Sequence, residues 1–247
     1  MIVSMGMTKF AVLLGGLLAL PVFGALEVKD TEGKYLDVLS DGKVVTRYMY
    51  EHDTSTKERH HETYKPYLHV FDAEGKAPIT KGAGGNFTHH RGIFIGWSRI
   101  EFNGKKYDRW HMSGGDIVHQ KFTSKEVKDD AAVVTSVTHW MDGKGEAFLE
   151  EERTMTVTEG VHGGRALIDF HSKLTPLRGD VFLKGDPEHA GVQYRPANEV
   201  EKTLTKYVFP EGVTDVTKVK DLAWVAENYT LDGKQYGVVH LNHSKNP

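Results

Sequence analysis

Cysteine is absent from the 247 residues, which removes disulfides, thiol nucleophiles, Fe–S clusters and Cys-ligated zinc together. No apolar run approaches the roughly 20 residues that a membrane-spanning helix needs. There is no excess of charge either: 31 Lys and Arg stand against 34 Asp and Glu, a net of −3. A near-neutral chain has no global attraction for nucleic acid or anionic lipid, and no basic patch substitutes for it. Also missing are the phosphate-loop and dinucleotide glycine patterns, a Gly-x-Ser-x-Gly elbow, a His-Glu-x-x-His helix and an EF-hand loop. With 39% hydrophobic, 10% aromatic and 26% charged residues, the chain is neither disordered nor fibrous. Its length suits one large β domain or two small ones. Histidine is what stands out: 14 in all, eight of them between His52 and His119.

Residues 1–24 read as a signal peptide: Lys9 in a short leader, an 11-residue apolar stretch from Phe10 to Leu20, and small residues up to Gly24 and Ala25. Export to the periplasm or outside of a bacterium is expected. From residue 25 to 247 the chain alternates short Val-, Ile-, Thr- and aromatic-rich runs with turn dipeptides such as Asp41-Gly42, Asn103-Gly104, Asp142-Gly143 and Asp232-Gly233. Expected strands include Tyr35–Leu39, Val44–Tyr50, Tyr67–Asp72, Ile93–Trp97, Lys106–Trp110, Ile117–Phe122, Ala132–Trp140, Phe148–Thr158, Ala166–Leu174, Ala190–Tyr194 and Trp224–Leu231. No run of helical periodicity intervenes, so the spacing predicts one all-β domain, a large antiparallel β-sandwich. The segment Asp53 to Pro66 reads as a loop over the sheet. The chain stops where a further strand is expected, which reads as a shortened C-terminus.

Three places put polar residues on faces that should be apolar. In Phe148–Thr158, alternation sets Glu151 and Arg153 beside Leu149, Met155 and Val157. Two such charges must pair with each other or with a ligand. In His189–Arg195, His189, Gln193 and Arg195 share one face, with Gly191 leaving room between them for a ligand. The third place is Asn86-Phe87-Thr88-His89-His90-Arg91-Gly92, two imidazoles and a guanidinium at the mouth of a strand. In extended chain His89 and His90 face opposite sides and are a poor chelating pair. Trp110, His111, Asp116 and His119 add aromatic and titratable groups.

These motifs, with Lys65-Pro66-Tyr67-Leu68, Ile95-Gly96-Trp97, Gly115-Asp116-Ile117-Val118-His119 and Glu151-Glu152-Arg153-Thr154, resemble an exported bacterial family labelled "methane oxygenase PmoA". The methane monooxygenase subunit of that name spans the membrane several times, and no such span follows the signal here. The resemblance implies a galactose-mutarotase-like β-supersandwich that works on sugars. Asn86 to Gly92 is loosely similar to the Asn-x-x-His-Gly-Gly segment of those epimerases, with Arg91 in a glycine position, and His189 stands for their second histidine. Their Glu base has no clear counterpart, and its usual position lies beyond Pro247.

The expected function is an exported carbohydrate-processing enzyme using acid–base chemistry on a sugar or uronate. In it His90 and His189 exchange protons with sugar oxygens, and Glu151 orients a histidine or acts as base. Arg91, Trp110, His111, Asp116, His119, Arg153, Gln193 and Arg195 bind the substrate, with Trp97 and Trp110 as stacking platforms. Two alternatives are a non-catalytic glycan-binding module and a His-ligated metalloenzyme of oxygenase type. No cofactor is expected, although distant ligands converging on a His-bound divalent metal would escape a motif search. The expected partner is a carbohydrate small molecule or glycan, with no nucleic acid and no membrane span after signal cleavage; the oligomeric state is open.

Overall fold

Runs of β-branched and aromatic residues broken every few positions by Asp-Gly or Asn-Gly make short strands reversed by tight turns. The computed structural model describes residues 25–160, 163–186, 188–216, 218–219, 221–244 and 246; the expected signal peptide lies outside these residues. The first half of the chain forms β1 (Leu26–Thr31), β2 (Tyr35–Ser40), β3 (Lys43–Met49), the helix α1 (Lys57–Thr63), β4 (Tyr67–Val70), β5 (Ile93–Trp97), β6 (Arg99–Phe102), β7 (Lys105–Tyr107) and β8 (Ile117–Lys128). The second half forms β9 (Ala131–Met141), β10 (Ala147–Glu159), β11 (Ala166–Pro176), β12 (Val181–Lys184), β13 (Ala190–Tyr194), β14 (Lys206–Val208), β15 (Trp224–Leu231) and β16 (Lys234–Leu241).

These strands make four antiparallel sheets, ordered β1-β2-β3-β4-β5-β13, β11-β10-β9-β8, β12-β6-β7 and β14-β15-β16. Asp41-Gly42, Asn103-Gly104 and Asp232-Gly233 all carry positive φ at both residues. That is the backbone of a type I′ turn, whose twist matches the flanking strands. Asp142-Gly143 behaves differently. There Asp142 caps a longer loop, its Oδ1 accepting from the amides of Lys144 and Glu146, and Gly145 takes the positive φ.

The six-stranded and four-stranded sheets pack face to face as a sandwich. Leu36, Val38, Val45, Tyr48 and Leu68 from the first meet Ala132, Val134, Met155 and Val157 from the second. A second cluster, Ile95, Ile100, Phe102, Ile117, Trp140, Phe148 and Leu149, closes the end of the sandwich against the small β12-β6-β7 sheet. Tyr229 and Leu231 of β15 pack on Ile79, with Val70 of β4 alongside, so the last sheet covers another part of the large one.

The inward face expected of β10 is the inward face found, but its two charges go to each other. Glu151 and Arg153 are fully buried and form a bidentate pair, Nε to Oε1 at 2.8 Å and Nη2 to Oε2 at 2.9 Å. The remaining acceptor capacity of Glu151 takes the Trp140 indole at 3.0 Å and the Ser172 hydroxyl at 2.9 Å. Arg153 also donates to the Pro66 carbonyl at 3.3 Å, tying the two sheets together. His119 stands half-buried at the edge of this core. It packs on Tyr50 and Phe122, bonds Ser136 Oγ at 2.8 Å, and is pushed down to about 4 by burial. Trp97, expected as a platform, is tilted against Trp140 in the second core cluster.

Candidate functional site

Two short segments build the centre of the site in the same way. In Asp108-Arg-Trp-His111 the carboxylate accepts from the Trp110 and His111 amides, both at 2.8 Å, and its other oxygen holds His111 Nδ1 at 2.8 Å. In Asp186-Pro-Glu-His189 the carboxylate accepts from the Glu188 amide at 3.1 Å and holds His189 Nδ1 at 2.6 Å. Each is a turn closed by an aspartate that at the same time fixes an imidazole three residues on. An ionised carboxylate accepts only, so Nδ1 carries the proton and Nε2 is left as the lone-pair nitrogen. The bond to His189 in turn holds the Asp186 carboxyl below the usual carboxylate range.

Tertiary packing sets these two histidine–aspartate pairs side by side. The His111 and His189 rings are 5.2 Å apart, His89 lies 4.6 Å from His111, and His90 4.3 Å from His89. Trp110 is the floor: it is fully buried and meets His189 at 5.5 Å and His90 at 6.1 Å. Burial, reinforced by the neighbouring charges of Arg195, His89, Lys65 and Lys81, pushes His90 down to about 3. Burial and His111 push His89 to about 4. Both rings are therefore neutral near pH 7. His111 and His189 keep 42% and 32% of their side chains exposed, so solutes can reach them.

His90 and Arg195 continue from this cluster into an open cleft of about 390 Å³, where Lys81, Asn86, Phe87, Tyr207 and Glu227 also face the void. Backbone bonds hold its near wall: Lys81 donates to the Arg195 carbonyl, Arg195 to Gly92, and Gly92 to Lys81, at 2.7–2.9 Å. Gly92 has φ +38°, and a Cβ there would lie 2.2 Å from the Leu68 carbonyl oxygen. Phe87 and Tyr207 keep 69% and 59% of their surfaces exposed. Among the buried polar atoms without a hydrogen-bond partner, His90 Nε2 and Arg195 Nε belong to residues lining this cleft and Trp110 Nε1 lies beneath them, while Tyr64 Oη and Arg109 Nε are unpaired elsewhere. Buried polar groups are normally satisfied, so this grouping makes the cleft a candidate for polar contacts.

The other sequence candidates go elsewhere. Arg91 is fully buried and donates to the carbonyls of Thr88, His61 and Glu62, stacked 4.3 Å from the Tyr64 ring. It fastens the His89-His90 loop to α1 and has no surface for a substrate. Glu151 and Arg153 are interior, His119 is half-buried against Tyr50 and Phe122, and Trp110 supports the histidines from below rather than offering a face. Asp116 leaves the cleft and holds His52 and His60. Gln193 stands on the edge strand β13 opposite Phe94. Gly191 meets nothing within 4 Å and has φ +81°, so only glycine is at ease in this open position.

Sequence reasoning missed Asp108, Asp186 and the part played by His89. A signal existed: Asp-x-x-His occurs at both 108–111 and 186–189, the spacing at which an aspartate turn can grasp an imidazole. Lys65 was also passed over as a site residue. It is buried with its ammonium 3.9 Å over the Phe94 ring and donating to the Trp110 carbonyl. Burial, then the Arg91 charge, pushes its pKa well down.

No helix among the described residues is long and apolar enough to cross a membrane. No curated protein and no solved structure matches the chain. One family model does, over residues 35–247, and it covers β2 to β16, both Asp-x-x-His turns and the cleft. The chain belongs to that family, described as a family of unknown function (DUF6807).

Proposed function

We propose that this chain is a carbohydrate-processing enzyme that moves protons on a sugar or uronate in the cleft beside His89, His90, His111 and His189. The observation that carries the reading is the pair of aspartate-oriented imidazoles, His111 and His189, with rings 5.2 Å apart. Each presents Nε2 as the lone-pair nitrogen of a ring that its aspartate holds in place through Nδ1. With one protonated and the other neutral, such a pair withdraws a proton from one side of a bound group and delivers one to the other. The orienting role expected of Glu151 passes to Asp108 and Asp186. His90, neutral in its desolvated place, is suited to exchange hydrogen bonds with a hydroxyl.

The cleft supports the substrate class. Arg195 and Lys81 supply cationic donors for hydroxyls or a uronate carboxylate, and Asn86 supplies amide donors and an acceptor. Phe87 offers an exposed ring of the kind that packs on the apolar face of a pyranose. We place this activity outside the cytoplasm, on the signal-like character of residues 1–24.

The test is turnover of a panel of neutral sugars, glycosides and uronate oligosaccharides, followed in deuterated water by proton NMR. His189→Ala should abolish turnover, and Asp186→Asn should lower it on the order of a hundredfold while circular dichroism stays unchanged. Full activity in His189→Ala, or no turnover across the panel, would overturn the reading.

A further inference from the structure

Outside the cleft, one other group of titratable side chains converges. His52 lies in the segment after β3, His60 on α1 and Asp116 directly before β8, yet both imidazole Nε2 atoms sit on the same carboxylate oxygen. His52 Nε2 is 2.9 Å and His60 Nε2 2.8 Å from Asp116 Oδ2. The three ligand atoms all lie within 4.8 Å of one another, the one such group found among the described residues. The cleft histidines, although ring to ring, do not gather three ligand atoms in this way.

Two arms of the group, His60 and Asp116, are fixed by their own backbone. Thr56 caps α1, accepting from the Arg59 amide at 3.1 Å. Asp116 is held from both sides: its carbonyl accepts from the Met141 amide at 2.8 Å, and the next amide, Ile117, donates to Tyr64 at 2.9 Å. The turn before it leaves no freedom, since a Cβ on Gly115 would meet the Met141 carbonyl oxygen at 2.4 Å. Arg91, bonded to the carbonyls of His61 and Glu62, anchors the helix from beneath. In the chain Glu51, Asp53, Glu58 and Glu62 surround the histidines, with Lys57 and Arg59 between them, and Arg59 pairs with Glu51, Asp53 and Glu62.

We infer that His52, His60 and Asp116 form a three-ligand site for a first-row divalent cation of the zinc type, with its remaining coordination position open to solvent. The donor set is two imidazole nitrogens and one carboxylate oxygen. Sites with three protein ligands of this kind keep a fourth position for water or another ligand, whereas closed structural sites use four. The side chains are 26%, 41% and 20% exposed, so that position faces water. Around a tetrahedral ion with bonds of roughly 2.0–2.2 Å, ligand atoms stand about 3.3–3.5 Å apart. The two nitrogen–oxygen pairs have to widen by only about half an ångström to admit it. The cation takes the place of the two Nε2 protons, and each neutral imidazole carries its proton on Nδ1 instead, so no group is left charged without a partner. A bound ion clamps the β3–β4 connection and the start of β8 together, and its affinity adds to the stability of the folded chain.

The experiment uses the full chain without a histidine tag, stripped with EDTA and dialysed against micromolar Zn²⁺, with zinc per chain read by plasma mass spectrometry. One zinc per chain is expected, with a rise in melting temperature. Asp116→Asn should remove it, and His52→Gln, at an exposed position that does not threaten folding, should weaken binding at least tenfold. His189→Gln should leave the stoichiometry unchanged. Absence of retained zinc would overturn the inference, and so would zinc that survives Asp116→Asn and His52→Gln but is lost in His189→Gln. The readout is metal content, so it stands or falls independently of turnover in the cleft.

Discussion

Glu151 and Arg153 show how a residue-scale reading turns on what lies across the face. A carboxylate with no exposed surface would ordinarily be neutral, and burial does push Glu151 upward. The Arg153 charge and the bonds from Arg153, Trp140 and Ser172 outweigh that and hold it below the usual carboxylate range. Glu151→Gln leaves Arg153 as an uncompensated buried cation, and the expected loss is about 3–5 kcal/mol of folding stability by urea denaturation. A variant as stable as the parent would mean that the pair is solvated. The same depressed carboxyl contributes stability that is present above the unfolded value of about 4.3 and is lost as pH falls through the lower folded value. Residue identity alone could not separate this pair from a catalytic one, because alternation says which way a side chain points and not what it meets.

At the scale of elements, the long strands were legible. Ala190–Tyr194 and Trp224–Leu231 are found with the boundaries expected of them, and β8 to β11 extend theirs by a few residues. The short pieces were not. β6, β12 and β14 have three or four residues, too few for alternation to register, and they form because neighbouring strands offer them partners. Helix α1, Lys-Glu-Arg-His-His-Glu-Thr, buries only Thr63, so no apolar period announces it. The expected strand to Trp110 ends at Tyr107, since Asp108 turns the chain to hold His111. This loop rests directly on β5. A Cβ on Gly96 would lie 2.3 Å from the Arg109 carbonyl oxygen and 3.3 Å from the Trp110 Cα, both backbone atoms that cannot swing aside. Gly96→Ala should therefore cost about 1–3 kcal/mol and draw His111 away from His189. A lowered melting temperature with lost turnover is the expected pair of readings; a change in neither would mean that the loop is loosely held.

Across the whole molecule, buried and half-buried histidines link the fold to pH. His69 is nearly enclosed between the Tyr67 and Phe71 rings, bonds Thr80 Oγ1 at 2.9 Å, and is pushed down to about 4, chiefly by burial and then by the Arg47 charge. His89, His90 and His119 are depressed in the same direction. The unfolded chain binds protons at these positions below about 6.5, while the folded chain does not until much lower pH, so stability falls as pH drops from about 6.5 toward 4. For His69 alone the loss at pH 5 is about 2 kcal/mol relative to neutral pH. Urea midpoints measured at pH 7 and pH 5 should show a marked decrease, and His69→Gln should make that decrease smaller; a flat profile would contradict the burial of these rings.

The amino-acid sequence by itself determined the all-β character, the Asp-Gly and Asn-Gly hairpins, the inward face of β10 and the open glycine at 191. All of these rest on interactions between residues near in the chain or on the two-residue period of a strand. Only the tertiary structure decided which polar faces meet a ligand and which meet another sheet, because that depends on what packs opposite. It set Asp108–His111 against Asp186–His189, buried Arg91 and Arg153, and brought His52 and His60 onto Asp116 across 64 and 56 residues of chain. No local pattern carries such a meeting, since the sheets that hold those segments form only when their apolar faces close on one another.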